Sequence, residues 1–575
     1  LWLTFAILMH VGIVGVQAYR NAPNLDEVAH LPAGLSHLEY GNFDLYRVNP
    51  PLVRMWAATP LIFLQPEIDW SKYHDSSLSR SEFDVGRQFL QNNGSQSFEY
   101  FVFARWMLIP VSVLGALVCY KWSAELFGSL SGVISATLWC FCPNIIAWGA
   151  SITPDAAASA FGILATWRFW KWLREPSWGN VGLAGLGLGL AVLVKSTWIV
   201  LFVLWPVAWA VWRWFERGSI ASKPGGAQLA TVLITGIYLL NLGYGFENSF
   251  LTLSKFNFVS ESLGGAGAHE SEGNRFKESW LGRIPVPVPA NYLKGIDVQK
   301  YEFEVGKWSY LRGEQKEGGW WYYYAYAILV KTPLGFLALI GLAACLCVFN
   351  REYRLGWANE LILITPAVCV FVLVSSQTGF NRYLRYVLPV YPFLYIFASR
   401  VAVRFGSRGR LFQCTVILLL VSGIISSLCI VPYSMSYFNL AVGGPFGGKH
   451  HLLDANIDWG QDLLRLRDWA KDHPEAKPLH TQIFTSIDLD IAGIDSQPIP
   501  THGPNSVSTL TEGWYAISVN ELMGYQHYGT KKMLYTQFQK LKPVTTIGYS
   551  IYIYHITLDE ANRVPQEISL PEIEE

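Results

Sequence analysis

Charge is scarce in this 575-residue chain: 15% of its residues are Asp, Glu, Lys or Arg, against 51% hydrophobic and 15% aromatic. Soluble domains carry about 25% charged residues, so a water-soluble protein is excluded at this length. The 43 basic and 43 acidic residues cancel, which leaves no global field to draw in nucleic acid. Cysteine is thin as well: all eight (Cys119, Cys140, Cys142, Cys345, Cys347, Cys369, Cys414, Cys429) fall in or at the ends of apolar segments, and no disulfide framework is implied. The chain opens on Leu1 inside an apolar run, which reads as a start lying upstream or trimmed rather than as a cleaved signal peptide. No clear internal repeat appears, which counts against the paired halves of many transporters.

What the chain has instead is a series of long apolar runs. At about 20 residues per crossing they make roughly eleven membrane spans. These lie near residues 1–19, 101–121, 130–148, 156–173, 180–194, 198–214, 228–246, 321–349, 359–376, 384–399 and 411–431. Basic residues mark alternate connections: Lys121; Lys171 and Arg174; Arg213, Arg217 and Lys223; Arg351 and Arg354; Arg400, Arg404, Arg408 and Arg410. Lys and Arg in short loops favour the cytoplasmic side. The opposite side then carries the first loop (20–100), the turn at Asp155, the hairpin at Lys195, the long loop 247–320, the Arg382 turn and the tail 432–575.

On that outer side sits Asn24-Leu25-Asp26-Glu27-Val28-Ala29-His30, two adjacent carboxylates just after the first span. A solvated helix N-terminus is the plain alternative, since a helix dipole favours acidic side chains there. The rest of the first loop reads as two interfacial helices, 33–40 and 51–64, around the stiff Asn49-Pro50-Pro51-Leu52, then a polar stretch 69–97 with a turn at Asn92-Asn93-Gly94-Ser95. Arg105 stands at the outer end of the second span, either as an interface anchor or turned toward the carboxylates. Asp155, in Thr153-Pro154-Asp155, and Lys195 bring opposite charges to the same side, where an ionisable residue at the mouth of a bundle needs a partner or water. Lys331, roughly 15 Å into a span at about 1.5 Å per residue, has the same need. Arg382 and Arg385, at i and i+3, share a helix face and suit a lipid phosphate.

The tail reads as a small α/β domain with an amphipathic helix at 462–471 and strands at 480–486, 514–519 and 545–555. Asp454-Ala455-Asn456-Ile457-Asp458 is close to the start of a calcium loop, yet Trp459 replaces the required Gly and Arg465 the closing Glu. Neither His30 nor His37 has a partner at metal-ligand spacing. No cofactor is therefore required by the sequence, and a divalent metal is left open.

Asp26-Glu27 with Pro50-Pro51-Leu52, Thr153-Pro154-Asp155, Gly318-Gly319-Trp320-Trp321-Tyr322-Tyr323-Tyr324 with Lys331-Thr332-Pro333-Leu334, Arg382-Tyr383-Leu384 with Leu388-Pro389-Val390-Tyr391-Pro392, and Tyr437-Phe438-Asn439 with Asp458-Trp459-Gly460-Gln461-Asp462 together resemble the bacterial protein O-mannosyltransferase and lipid A aminoarabinose transferase superfamily. The resemblance runs over nearly the whole chain. Val48-Asn49 departs from it, standing where the aminoarabinose transferases carry an acidic-basic pair. It implies a C-type glycosyltransferase fold: a polytopic helical membrane domain over 1–431 and an extracytoplasmic α/β domain over 432–575. It also implies a polyprenyl-phosphate sugar donor in the outer leaflet and transfer with inversion to a hydroxyl of a protein, lipid or glycan acceptor at the bacterial plasma membrane. On this reading Asp26 is the general base, with Glu27 in support. Arg105, Lys195, Arg382 and Arg385 stabilise the phosphate leaving group. Asp155 orients Lys195, positions the acceptor or holds a metal, and His30, Asn49 and Lys331 are further pocket candidates. A lipid-linked sugar flippase and a noncatalytic scaffold are the competing classes. The first would move the lipid without cleaving its phosphate–sugar bond.

Overall fold

A computed structural model describes residues 1–76, 78, 80–215, 224–500, 510–527 and 535–567; Arg217 and Lys223 of the third basic connection lie outside these. Backbone polar groups cannot stay unpaired in hydrocarbon, so the apolar runs must be helical. All eleven expected segments are. By length and composition, seven helical stretches among the described residues can cross a membrane, or nine if each of two bent pairs is one span. The protein is accordingly an integral membrane protein. The two expected spans left over are Trp178–Val194, with only 17 residues, and Asp155–Arg174, whose Asp155, Arg168, Lys171 and Arg174 make it too polar.

Two expected spans are bent. In the first, Ser129–Cys140 and Pro143–Gly149 meet at 59°. In the second, Tyr323–Lys331 and Leu334–Phe349 turn through 116°. The second bend falls at Pro333, which holds the preceding Thr332 in extended backbone and cannot continue a helix. Lys331 is thus at an elbow rather than inside a straight span. Its ammonium donates to the carbonyls of Met435 (2.7 Å) and Asn456 (2.5 Å), tying the chain after residue 431 to the membrane helices.

Asp155–Arg174 runs through the centre of the bundle, buried along most of its length. Trp178–Val194 packs beside it through small residues, as membrane helices do when backbones approach closely. A Cβ on Gly187 would lie 3.0 Å from the Cα of Ala165.

The first loop is more ordered than its polarity suggests. Leu25–Tyr40 forms one 16-residue helix and Leu52–Ala58 and Leu61–Leu64 two short ones. Ser81–Asn93, within the polar stretch 69–97, is also a helix. Its Val85, Phe89 and Leu90 face inward at helical spacing, and Gly86 lies where a Cβ would meet the carbonyl oxygen of Val28 at 2.2 Å. That close approach fixes the helix against the one carrying Asp26. The expected turn at Gly94 is present, with Gly94 at φ +52°.

In the long loop, helix Ala290–Val305 precedes the antiparallel hairpin β1 (Trp308–Leu311) and β2 (Glu314–Glu317). The tail forms a five-stranded sheet of β3 (Leu479–Gln482), β4 (Ser496–Pro498), β5 (Gly513–Ser518), β6 (Thr545–Ile547) and β7 (Ile551–Ile556), in the order β4-β3-β5-β7-β6. The β3 pairings are parallel and the β7 pairings antiparallel. β4 was not legible as a strand, because Ser496–Pro498 is a short edge without alternating apolar residues. The run 545–555 divides at Gly548, whose φ of +58° makes the hairpin turn. The amphipathic helix lies at Leu463–Asp472.

Candidate active site

The site begins at the N-terminus of the helix Leu25–Tyr40. Asn24 caps it: the Glu27 amide donates to Asn24 Oδ1 and the Asn24 amide to Glu27 Oε2, both at 3.0 Å. This capping box aims the Glu27 carboxylate backward into the protein. There it accepts from Arg105 Nε (2.8 Å), Arg105 Nη2 (2.6 Å) and the Ile152 amide (2.9 Å). Arg105 spends its other N–H groups on the carbonyls of Ala18, Asn21 and Ala22. Glu27 is 0% and Arg105 1% exposed. The structure therefore places neither at the cavity: both belong to a buried pair that joins the first loop to the second span.

One residue earlier the direction reverses, because neighbours on a helix point about 100° apart. Asp26 faces a cavity of about 480 Å³, together with Asp155, Lys195, Arg382, Arg385 and Asn49. Arg385 bridges the two carboxylates: Nη2 to Asp26 Oδ2 at 2.5 Å and Nη1 to Asp155 Oδ2 at 3.3 Å. Lys195 donates to the other Asp155 oxygen at 2.6 Å. The four charges form one neutral set. Aromatic faces hold the Arg385 guanidinium in place, with Tyr383, Trp148, Trp459 and Tyr386 centred 4.6, 5.1, 5.6 and 5.8 Å away.

The loop carrying Tyr46, Val48 and Asn49 into the cavity wall is pinned by buried Arg54, which donates to the carbonyls of Tyr46, Asn49 and Pro50. Tyr46 takes φ +61°, a conformation unusual for a bulky side chain, and stacks on His30 at 4.3 Å. His30 itself is 2% exposed, outside the cavity lining, and neither ring nitrogen has a hydrogen-bond partner among the described residues. Burial, with Arg54 nearby, pushes its pKa well below 6.5 and keeps it neutral. Lys331 is also away from the cavity, at the elbow described above.

Sequence reasoning missed several cavity residues. Arg80, Lys307 and Glu302 form a rim cluster in which Glu302 pairs with both cations, Lys307 at 3.1 Å. Arg87 pairs with Asp84 beside them. The tail adds Trp459, Ser486 and His527. Of these Trp459 stood in a motif already singled out, and Ser486 only at the end of an expected strand. His527 Nδ1 lies 2.9 Å from Asp454 Oδ2, which also accepts from Tyr525 (2.7 Å). Burial alone would raise the Asp454 carboxyl, but His527 and Arg382 hold it below its ordinary value. Arg382, in irregular backbone just before the helical turn that begins at Leu384, donates to the carbonyls of Trp308 (2.9 Å) and His527 (2.7 Å), joining the tail to the hairpin.

A second, mainly apolar groove of about 270 Å³ adjoins the cavity, sharing Lys195, Gln299 and Tyr386 with it. Its walls include Ile199, Ile296, Phe303, Leu373 and Val374, so it is framed by two candidate spans and the helix Ala290–Val305. Among the described residues no three His, Cys, Asp or Glu side chains are grouped to hold a metal ion. The two cavity carboxylates, Asp26 and Asp155, are bridged by the Arg385 guanidinium.

Together these features define a polytopic membrane protein with a charged cavity and an adjoining apolar groove. Residues 100–238 match the family model described as dolichyl-phosphate-mannose-protein mannosyltransferase. That match agrees with the resemblance read from the motifs. Among solved structures, the chain is similar to ArnT from Cupriavidus metallidurans bound to undecaprenyl phosphate, at 12% identity over 96% of this chain and 97% of that one, TM-score 0.43. It is also similar to archaeal oligosaccharyltransferase AglB from Archaeoglobus fulgidus in complex with an inhibitory peptide and a dolichol-phosphate, at 11% identity over 93% and 72%, TM-score 0.44. The Archaeoglobus fulgidus oligosaccharyltransferase in complex with Zn and sulfate matches at 12% identity over 94% and 71%, TM-score 0.39. No curated protein matches.

Proposed function

We propose that this protein is an inverting glycosyltransferase that moves a hexosyl or pentosyl unit from a polyprenyl-phosphate donor to an acceptor hydroxyl. The observation that carries this reading is the meeting of Asp26, Asp155, Lys195 and Arg385 in one cavity, with an apolar groove joining it at Lys195. A polyprenyl chain fits the groove by its chemistry, and its phosphate would then lie against the Lys195 ammonium. The family-model match over residues 100–238 supports the same class.

In the proposed step the acceptor oxygen forms a bond to the anomeric carbon as the bond from that carbon to the phosphate oxygen breaks. The bonding pair leaves on the phosphate, and the hydroxyl proton passes to the Asp26 carboxylate. Lys195 and Arg385 stabilise the negative charge that builds on the leaving phosphate, where low dielectric makes a fixed cation count for more. Asp155 positions both cations. Arg382 adds its charge from the tail side, and no step requires a metal.

The domain boundary at 431/432 is part of the proposal, with the cavity and tail on the extracytoplasmic face of a bacterial plasma membrane and a protein, lipid or glycan as acceptor. Because Lys331 bonds to Met435 and Asn456, and Asn439 to Leu329 and Thr332, the tail cannot be cut away cleanly as a test of acceptor choice. The test is turnover of a panel of polyprenyl-phosphate sugars by the purified protein and by Asp26→Asn in the same detergent. Release of polyprenyl phosphate by the native protein and its loss in the folded variant supports the reading. Full activity in Asp26→Asn removes the assigned base, and lipid movement without phosphate–sugar cleavage returns the protein to the flippase class.

A further inference from the structure

We infer that Asp26 is masked by Arg385 in the donor-free protein, and that the donor's phosphate unmasks it by taking over that guanidinium. The inference rests on the reading of Asp26 as the base.

The charge balance requires an exchange. Asp26, Asp155, Lys195 and Arg385 already neutralise one another. A phosphodiester brought to the same two cations adds a negative charge in a partly desolvated place, so one carboxylate has to give way.

Asp155 is the worse candidate to move. It has two cationic partners, its side chain is 2% exposed, and it lies in the first turn of its helix, where the dipole favours a carboxylate. Asp26 has a single cationic partner among the described residues, and its side chain is 16% exposed. Arg385 cannot follow Asp26 outward. Its Nη1 is held by Asp155, and Tyr383, Trp148, Trp459 and Tyr386 enclose the guanidinium.

The point of entry also favours this order. Lys195 stands where the apolar groove joins the cavity; among the described residues its one ion pair is to Asp155, with its ammonium 5.4 Å from the Tyr386 ring centre. A phosphate arriving from the groove meets Lys195 first and reaches Arg385 next.

The exchange orders the reaction. Before the donor binds, an acceptor hydroxyl finds a carboxylate whose Oδ2 is already engaged by the Arg385 guanidinium. With the phosphate on Arg385, that oxygen is released to the acceptor hydroxyl. After transfer Asp26 carries the proton and is neutral. When it loses that proton to water its charge competes again for Arg385, which helps to expel the polyprenyl phosphate.

The test is equilibrium binding of sugar-free undecaprenyl phosphate to the full-length protein in detergent. If Asp26 competes with phosphate, Asp26→Asn binds the lipid roughly five- to tenfold tighter than the native protein. The gain disappears when Arg385→Gln is added, and Asp155→Asn weakens binding because Lys195 and Arg385 lose their anchor. Asp26→Ser replaces Asp26→Asn if the latter fails to melt at the native temperature. Equal or weaker binding by a folded Asp26 variant overturns the exchange, as does a gain that survives without Arg385. An inactive Asp26→Asn protein with native affinity overturns the exchange and leaves the base reading standing. An active one with tighter binding does the reverse.

Discussion

Asp26 and Glu27 are adjacent in the chain, and each pairs with an arginine. Glu27 is 0% exposed, engaged by the capping box, Arg105 and the Ile152 amide, and it has no route to a ligand. Asp26 lines the cavity and shares one guanidinium with Asp155. The same chemistry, carboxylate with guanidinium, serves assembly in one case and lines a cavity in the other. What separates them is the number of fixed partners and access to the cavity. A carboxylate satisfied on every side cannot accept a proton from a substrate without breaking the fold.

Mutation should separate the two pairs, and the largest effect is expected at Asp26. Asp26→Asn should lower turnover about 10²–10⁴-fold, the usual worth of a positioned general base, with an unchanged melting temperature. A fall in melting temperature matching the loss of activity would erase the distinction. Glu27→Gln should do the opposite, costing about 3–5 kcal/mol of stability because it leaves Arg105 buried without its anion. Its readout is the melting temperature and half-life in detergent, while turnover per folded molecule changes far less. Lys195→Met tests whether the cavity pair works on the donor. It should reduce turnover about 10²–10³-fold, as removal of a group stabilising a leaving oxyanion does, and steady-state rates over a range of donor concentrations measure it.

Asp458 extends the comparison to a carboxyl with no cationic partner among the described residues. It is 1% exposed, accepts from the Gly460 amide through Oδ1, and has no partner for Oδ2 among the described residues. Burial raises its pKa to about 8 from 3.8. The folded state therefore holds a proton that the unfolded chain gives up, and stability falls as pH rises from about 4 to about 8 and no further above. Asp458→Asn removes that slope. Its melting temperature should exceed that of the native protein by a margin that widens up to about pH 8, and a margin independent of pH would show that Asp458 is ionised in the fold.

Six expected site residues reach the cavity: Asp26, Asn49, Asp155, Lys195, Arg382 and Arg385. The five charged ones were legible because charge at the end of an apolar segment is costly unless it has a use, and hydropathy with basic-loop bias points to one side of the membrane; uncharged Asn49 stood out only beside Pro50-Pro51-Leu52. Glu27, Arg105, His30 and Lys331 satisfied the same criterion and went elsewhere. Sidedness does not say which way a side chain turns. Arg105 turns inward to Glu27, and Lys331 finds backbone carbonyls of the tail. The rim residues Arg80, Glu302 and Lys307 were illegible for another reason. They lie in polar stretches indistinguishable from linker, and their pairing joins segments more than two hundred residues apart.

By itself the sequence determined a polytopic helical protein with a small α/β tail, because length, hydropathy and charge act locally and one segment at a time. The tertiary structure decided where the long segments break, as at Pro333, and which of two neighbouring carboxylates lines the cavity. It also brought Trp459 and His527 of the tail into the wall of the cavity. Those outcomes depend on helix rotation and on partners distant in the chain, where burial makes an unpaired charge costly and so selects the one packing that pairs it.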